Sequence, residues 1–113
     1  MKTKIKTAPE NRFTEEQNQI ALFAKAFGHP ARVKILQYLF EIKSCVCGDI
    51  VDEVGLAQST ISQHLKELKK TGLIQGTVEG TSVCYCIVLE NWTKMKDVLG
   101  EFFDQDLKTV DCC

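Results

Sequence analysis

Six cysteines in a chain of 113 residues stand in three close pairs: Cys45 with Cys47, Cys84 with Cys86, and Cys112 with Cys113. A thiolate is a soft-ion ligand and also exchanges electrons reversibly, so such pairs are the first place to look for chemistry. Cys45-Val46-Cys47 opens a stretch of helical character. Inside a regular helix a Cys-x-Cys pair sets its sulfurs about 200° apart, too divergent to share one small ion. Straddling a helix start relaxes that constraint, and the field at a helix N-terminus favours the thiolate. Cys45 and Cys47 are therefore read as ligands rather than as small buried hydrophobes. Cys84 and Cys86 alternate around Tyr85 and share one face of a strand. They could form a second thiolate pair, but a strand packs one face on its domain, and buried filler is the expected role.

A second pattern lies between these pairs, from Gln58 to Thr71. At 100° per residue, Ile61, Leu65 and Leu68 fall on one side of a helix, and Ser59, Ser62, Gln63, Lys66 and Lys70 fall on the other. Short hydroxyls and an amide come first, ammonium groups later. A helix in the DNA major groove needs this order, with small polar groups at base edges and cations at phosphates. An ordinary solvated face is the alternative for any one of these residues. The ordered stripe behind a Gly-containing turn favours DNA.

The elements that must position these groups can be read in chain order. A polar arm, residues 1–13 with Pro9, leads in. Thr14 is placed to cap a helix with Glu15 and Glu16 in its first turn, and Ile20, Phe23, Ala24 and Phe27 follow at helical spacing. Gly28-His29-Pro30 ends that helix and starts another, to about Glu41, with Val33, Leu36, Leu39 and Phe40 apolar. His29 is read as a turn residue without a chemical role. A helix from Cys45 to about Val54 ends at Gly55 and precedes the reading helix, which Gly72 closes. Leu73, Ile74 and Val78 suggest a strand, Glu79-Gly80 a turn, and Ser82 to Leu89 a second strand. A hairpin after a reading helix is the wing of a winged helix-turn-helix, and Thr81 and Ser82 at its tip suit a DNA contact. The last helix, from near Asn91, carries Trp92, Met95, Val98, Leu99, Phe102, Phe103 and Leu107. So broad an apolar stripe predicts pairing with a second copy, which also supplies the second reading helix of a two-fold site; closing the monomer core is the alternative. The expected fold is mostly α with a small β-hairpin, a winged helix-turn-helix that is homodimeric through its terminal helices. The domain spans residues 14–107, and a Cys-containing tail spans 108–113.

Composition bounds the function. The net charge of −1 is low for a non-specific DNA binder, but residues 1–34 hold seven Lys/Arg against three Glu, and residues 97–113 hold one Lys against five Asp/Glu. A basic face can coexist with an acidic end. No apolar run reaches a membrane span, and the opening MKTKIKTAPENR lacks the core of a signal peptide, so a cytoplasmic protein without a membrane partner is expected. Six cysteines there are read as working thiols, not a disulfide framework. No Cys-x-x-Cys, Gly-rich phosphate loop or Ser/His/Asp grouping supports catalysis. His29 and His64 are the only histidines, and neither stands with Asp97, Glu101 and Asp104 on the last helix, so a zinc site there is not expected.

The order of GHPARVKIL, CVCGDIVDEVGLAQSTISQHLKELKKTGLI and EGTSVCYCIVL between two outer helices resembles the ArsR/SmtB family of metal-responsive bacterial repressors, over about residues 15–107. QSTISQHLKEL with its following GLI is similar to that family's recognition helix, and Cys45-Val46-Cys47 to the CVC box of its arsenic and cadmium/lead sensors. The resemblance implies a homodimer on double-stranded operator DNA, released when metal binds. It puts DNA contacts on Gln58, Ser59, Ser62 and Gln63, with the hairpin tip, Thr81 and Ser82, as a second contact; Thr60, Lys66 and Lys70 complete the expected DNA-facing set. His64 lies at the edge of the apolar face, where packing and DNA contact are both open. The inducer would be As(III) or Sb(III), with Cd(II) and Pb(II) as further candidates. Where arsenic sensors often add a third cysteine, this chain has Ile50. As(III) prefers three thiolates, which points to Cys112 and Cys113 in the charged tail as metal ligands beside Cys45 and Cys47. A redox- or persulfide-responsive repressor of the same fold is the nearest alternative, and a small thiol or metal-buffering protein the alternative from another class.

Overall fold

The computed structural model describes residues 12–48 and 50–105. Its elements are α1 (Glu15–Ala26), α2 (Pro30–Ile42), β1 (Val46–Cys47), α3 (Ile50–Val54), α4 (Gln58–Lys70), β2 (Ile74–Glu79), β3 (Ser82–Ile87) and α5 (Leu89–Phe103). Local chemistry sets the boundaries. The Thr14 hydroxyl accepts from the Gln17 N–H at 3.0 Å, and the Gln17 side chain accepts from the Thr14 N–H at 3.0 Å. This reciprocal box satisfies two donors that the start of α1 leaves open. Pro30 begins α2, and His29 caps it: its Nδ1 accepts from the Ala31 N–H at 3.0 Å. The α4 helix ends because Gly72 takes φ +82°, the left-handed conformation that a side chain resists. Asn91 then donates to the Gly72 carbonyl at 2.7 Å and ties that turn to α5.

α2 is central and packs on α3, α4 and β3, while α1 packs on α5. Ile35, Leu39, Ile61, Leu68 and Leu73 are the largest fully buried side chains, so the core joins α2 to the inner face of α4. Ile35 is absent from the apolar set expected for α2, whereas Val33 from that set is only half-buried.

The sheet has three strands, not the two of a hairpin, in the order β1-β3-β2 and antiparallel throughout. Glu79 pairs with Ser82 across a two-residue loop, with Gly80 at φ +62°. That fits a type II′ turn, whose twist matches the strands. β1 was expected as the start of a helix. Instead Val46 is buried and pairs with Tyr85, Cys47 pairs with Cys84, and α3 begins only at Ile50. A β-branched residue between two cysteines, next to an unpaired edge of β3, gains more from the ladder than from one further helical turn. At the other end, the Val88 N–H donates to the Leu73 carbonyl at 2.8 Å, and α5 begins at Leu89, where the strand was expected to run on.

α5 uses its apolar stripe in two ways. Met95 and Leu99 are buried in the core, with Trp92 and Val98 packed against it, while Phe102 and Phe103 lie open. Phe13, just before α1, and Leu22 on α1 are exposed as well. Leu107 lies outside the described residues, and among those described no helix is long and apolar enough to cross a membrane.

Candidate nucleic-acid interface and thiol cluster

α4 is held by its inner face and offered by its outer one. Ile61, Leu65 and Leu68 are buried, while Gln58, Ser59, Thr60, Ser62, Gln63, Lys66 and Lys70 are all exposed. The hairpin comes back beside this helix. A groove of about 350 Å³ between them is lined by Gln58, Ser62, Thr81, Ser82 and Tyr85, among others. Gln58 and Ser62, of the expected helix contacts, thus border one groove with both expected tip contacts. Lys70 pairs with Glu67 at 3.7 Å and Lys25 with the same carboxylate at 3.6 Å, so Glu67 braces α4 against α1. The Lys70 ammonium, then that of Lys25, holds the Glu67 carboxyl below its usual range.

His64 sits apart from this face. It is half-buried, and its ring lies 4.4 Å from that of His29, the cap of α2. Burial, then the neighbouring His29 and Arg32, lowers its pKa below the ordinary histidine value. The α4 side chain expected to be ambiguous is placed against the protein. The His29 ring, read from sequence as a plain turn residue, both caps a helix and packs on α4.

The cysteines depart furthest from expectation. Cys45 is disulfide-bonded to Cys86, and Cys47 to Cys84. The pairing follows from register: Val46 faces Tyr85, so the cysteines on either side face each other across β1 and β3. Their Cα separations, 4.4 and 4.0 Å, are those of the close, non-hydrogen-bonded positions of an antiparallel pair. Cys84 and Cys86 are therefore partners of the CVC segment rather than fillers. Only Cys84 is fully buried; Cys86 is half-buried, and Cys45 and Cys47 are exposed. Two Cys-x-Cys segments with the same period of two carried the signal for this, once the first is taken as extended instead of helical. With the sulfurs bonded in pairs, no group of three or more Cys, His, Asp or Glu among the described residues stands ready for a metal ion. Cys112 and Cys113, expected as further donors, lie outside the described residues.

Comparison with known proteins bears on the whole arrangement. Residues 29–75, from the cap of α2 into β2, match the family model described as bacterial regulatory protein, arsR family. An HTH-type transcriptional regulator of Methanocaldococcus jannaschii is 47% identical over 75 residues, covering 66% of this chain and 83% of that protein. Among solved structures, NolR from Sinorhizobium fredii superposes with a TM-score of 0.62 at 28% identity, over 94% of this chain and 100% of that one. A homodimeric winged helix-turn-helix DNA-binding domain from Mycobacterium bovis shares the fold, with a TM-score of 0.62 at 23% identity over 90% of this chain and 97% of that one.

Proposed function

The chain belongs to the arsR family of bacterial regulatory proteins, and on that premise we propose that it is a cytoplasmic DNA-binding transcriptional repressor, a homodimer and not an enzyme, whose hold on its operator is set by cysteine chemistry. The observation that carries this reading is the α4 face: seven exposed polar residues over a buried apolar anchor, with the wing tip on the same groove. Gln58, Ser59, Thr60, Ser62 and Gln63 read base edges, and Lys66 and Lys70 reach phosphates. Thr81 and Ser82 touch the backbone beside the reading helix. A second copy, joined through the open Phe13, Leu22, Phe102 and Phe103 of the α1–α5 side, supplies the other half-site. That pairing also gives these exposed apolar side chains a partner, where water would otherwise meet them.

The inducer in this reading is a soft ion, As(III) or Sb(III), or else Cd(II) or Pb(II), captured by Cys45 and Cys47 in their reduced form. On the extended CVC segment the two side chains project from the same face, a better chelate than a helix would give. As(III) takes a third thiolate. Cys112 and Cys113 in the tail are its source. Capture beside the start of the helix-turn-helix moves α3, and α4 with it. A few kcal/mol of preference between two states suffices to change operator occupancy many-fold. The test is a gel shift of the reduced protein on the DNA preceding its own coding sequence, alone and with arsenite, antimonite or cadmium. A specific complex that arsenite dissociates, and that Cys45→Ser/Cys47→Ser makes insensitive, is the expected result. No preference for any duplex removes the DNA reading; arsenite release that survives the double substitution removes the ion site.

A further inference from the structure

Cys84 and Cys86 have no part in a soft-ion site built on Cys45, Cys47 and the tail, yet the fold sets each of them opposite one cysteine of the CVC segment. We propose that these four cysteines form a hydroperoxide-oxidised dithiol site that staples the wing to the strand at the base of the helix-turn-helix and so releases DNA; this rests on the DNA-binding reading above.

Three observations carry it. The first is pairing: antiparallel register makes two separate dithiols, each at the short cross-strand spacing, so oxidation of either needs no rearrangement of the backbone. The second is access. Cys45 is exposed, and it borders, with Cys86, a pocket of about 330 Å³ walled by Leu39, Phe40, Ile87 and Leu89, with Lys43 also lining it. An apolar wall admits the carbon body of an alkyl hydroperoxide as readily as hydrogen peroxide. The third is what the bonds enclose. They link positions 41 and 37 residues apart, and the segment between them is the whole of α3, α4 and β2. Reduced, the two-residue β1 is a weak tie, and the hairpin can follow the DNA backbone independently of α4. Oxidised, reading helix and wing form one closed ring that cannot adjust its two contacts separately.

The chemistry balances. The Cys45 thiolate attacks the peroxide, an S–O bond forms as O–O breaks, and water or an alcohol leaves with the proton. The Cys86 thiol then attacks the sulfenic sulfur, an S–S bond forms, and the departing hydroxide takes the thiol proton as water. The dithiol has lost two electrons and the hydroperoxide has gained them. Cys47 and Cys84 follow the same course from the exposed Cys47 side. A DNA-binding protein works where thiols are kept reduced, so the bonds are made on demand and undone by thiol exchange.

The test uses the full chain, reduced with dithiothreitol, desalted, and divided. One half is treated with hydrogen peroxide and then catalase. Digestion without reductant and mass spectrometry should find Cys45–Cys86 and Cys47–Cys84 in the oxidised half, and fluorescence anisotropy on the upstream DNA should find affinity at least tenfold lower, restored by dithiothreitol. Cys84→Ala/Cys86→Ala should bind DNA like the reduced wild type, should still respond to arsenite, and should lose the peroxide response. Should the doubly substituted chain fail a circular-dichroism check, Cys86→Ser in its place should leave only the Cys47–Cys84 bond to be found. Bonds mapped elsewhere, such as Cys45–Cys47 or Cys112–Cys113, overturn the proposal, and so does equal DNA affinity in the two halves. If the reduced protein prefers no duplex, the DNA reading has failed instead, whatever bonds the mapping finds.

Discussion

Removing the two disulfides one at a time and then together should produce losses of stability that are far from additive, and topology says by how much. Either bond formed first closes a loop of about forty residues, 41 for Cys45–Cys86 and 37 for Cys47–Cys84. Chain entropy then takes about 13 cal/mol/K from the unfolded state, or about 4 kcal/mol at 25 °C. The second bond closes only the small ring that runs through residues 45–47 and 84–86, about six residues, and contributes about 2 kcal/mol. The oxidised protein therefore holds about 6 kcal/mol in this site, a large part of the 5–15 kcal/mol typical of a domain. Cys45→Ala/Cys86→Ala should cost about 2 kcal/mol, because the remaining bond still closes the long loop, while replacing all four should cost about 6. The assay is urea unfolding without reductant, at one fixed protein concentration because a dimer's stability depends on it. In dithiothreitol the Cys45→Ala/Cys86→Ala variant should fall within about 1 kcal/mol of wild type, its partly exposed side chains adding little of their own. Two equal steps of about 4 kcal/mol each would refute the nested-loop reasoning, as would a four-fold variant as stable as the oxidised parent.

Other consequences are checked separately. Gln63→Ala should weaken specific DNA binding by about 1–3 kcal/mol and relax preference at one base pair, whereas Lys66→Ala should weaken all duplexes alike and lower the salt slope by about one; a titration of anisotropy against salt separates the two. Phe102→Asp/Phe103→Asp places charges on the open end of α5 and should convert the dimer to monomer in sedimentation while leaving the monomer folded, since neither ring belongs to the buried core. His64 gives a pH signature. Its pKa in the folded chain lies below the ordinary histidine value of 6.5, so as pH falls through 6.5 the unfolded chain takes up the proton first. Stability should therefore be level above neutrality and decline on acidification from about 6.5 downward, and His64→Gln should flatten that part of the urea-midpoint curve.

The residues differed in how much of their placement they announced. The inner face of α4 was legible because Ile61, Leu65 and Leu68 repeat at a helical period and a Gly closes the run, two local signals that agree. The cap at Thr14 was legible from its hydroxyl and the acidic first turn, and the Gln17 side chain, which accepts from the Thr14 N–H, completes it. The CVC segment was misread because three residues carry no period, and a following helix lent them its character. What decides their conformation is the free edge of β3, some forty residues away in sequence, and no local pattern reports a partner at that distance. The reading of Cys84 and Cys86 as filler failed with it, since their role depends on that same strand. Likewise the contact between the His29 and His64 rings joins the cap of α2 to the middle of α4 through the packing of those two helices, which only the fold supplies.

The two cysteine chemistries cannot coexist, and this makes the soft-ion and oxidant readings test one another. A sulfur in a disulfide has no lone charge to give a soft ion, so the form with Cys45–Cys86 and Cys47–Cys84 bonded has neither CVC thiolate available. Conversely, an ion held by Cys45 and Cys47 removes the nucleophile from each dithiol and should protect both pairs from peroxide. Wild-type protein oxidised beforehand should therefore take up no arsenite at the CVC segment, and protein loaded with arsenite first should resist formation of both bonds in the mapping experiment. The magnitude is set by competition: with arsenite at 100 times its dissociation constant, the free dithiol, and with it the initial oxidation rate, should drop about a hundredfold. Cys84→Ala/Cys86→Ala separates the two effects, because it retains the CVC thiols while no cross-strand bond can form. If oxidised wild type still binds arsenite with unchanged stoichiometry, the ion is held by Cys112 and Cys113 alone. The CVC segment would then be a redox element only, and the family resemblance would have assigned the right residues to the wrong chemistry.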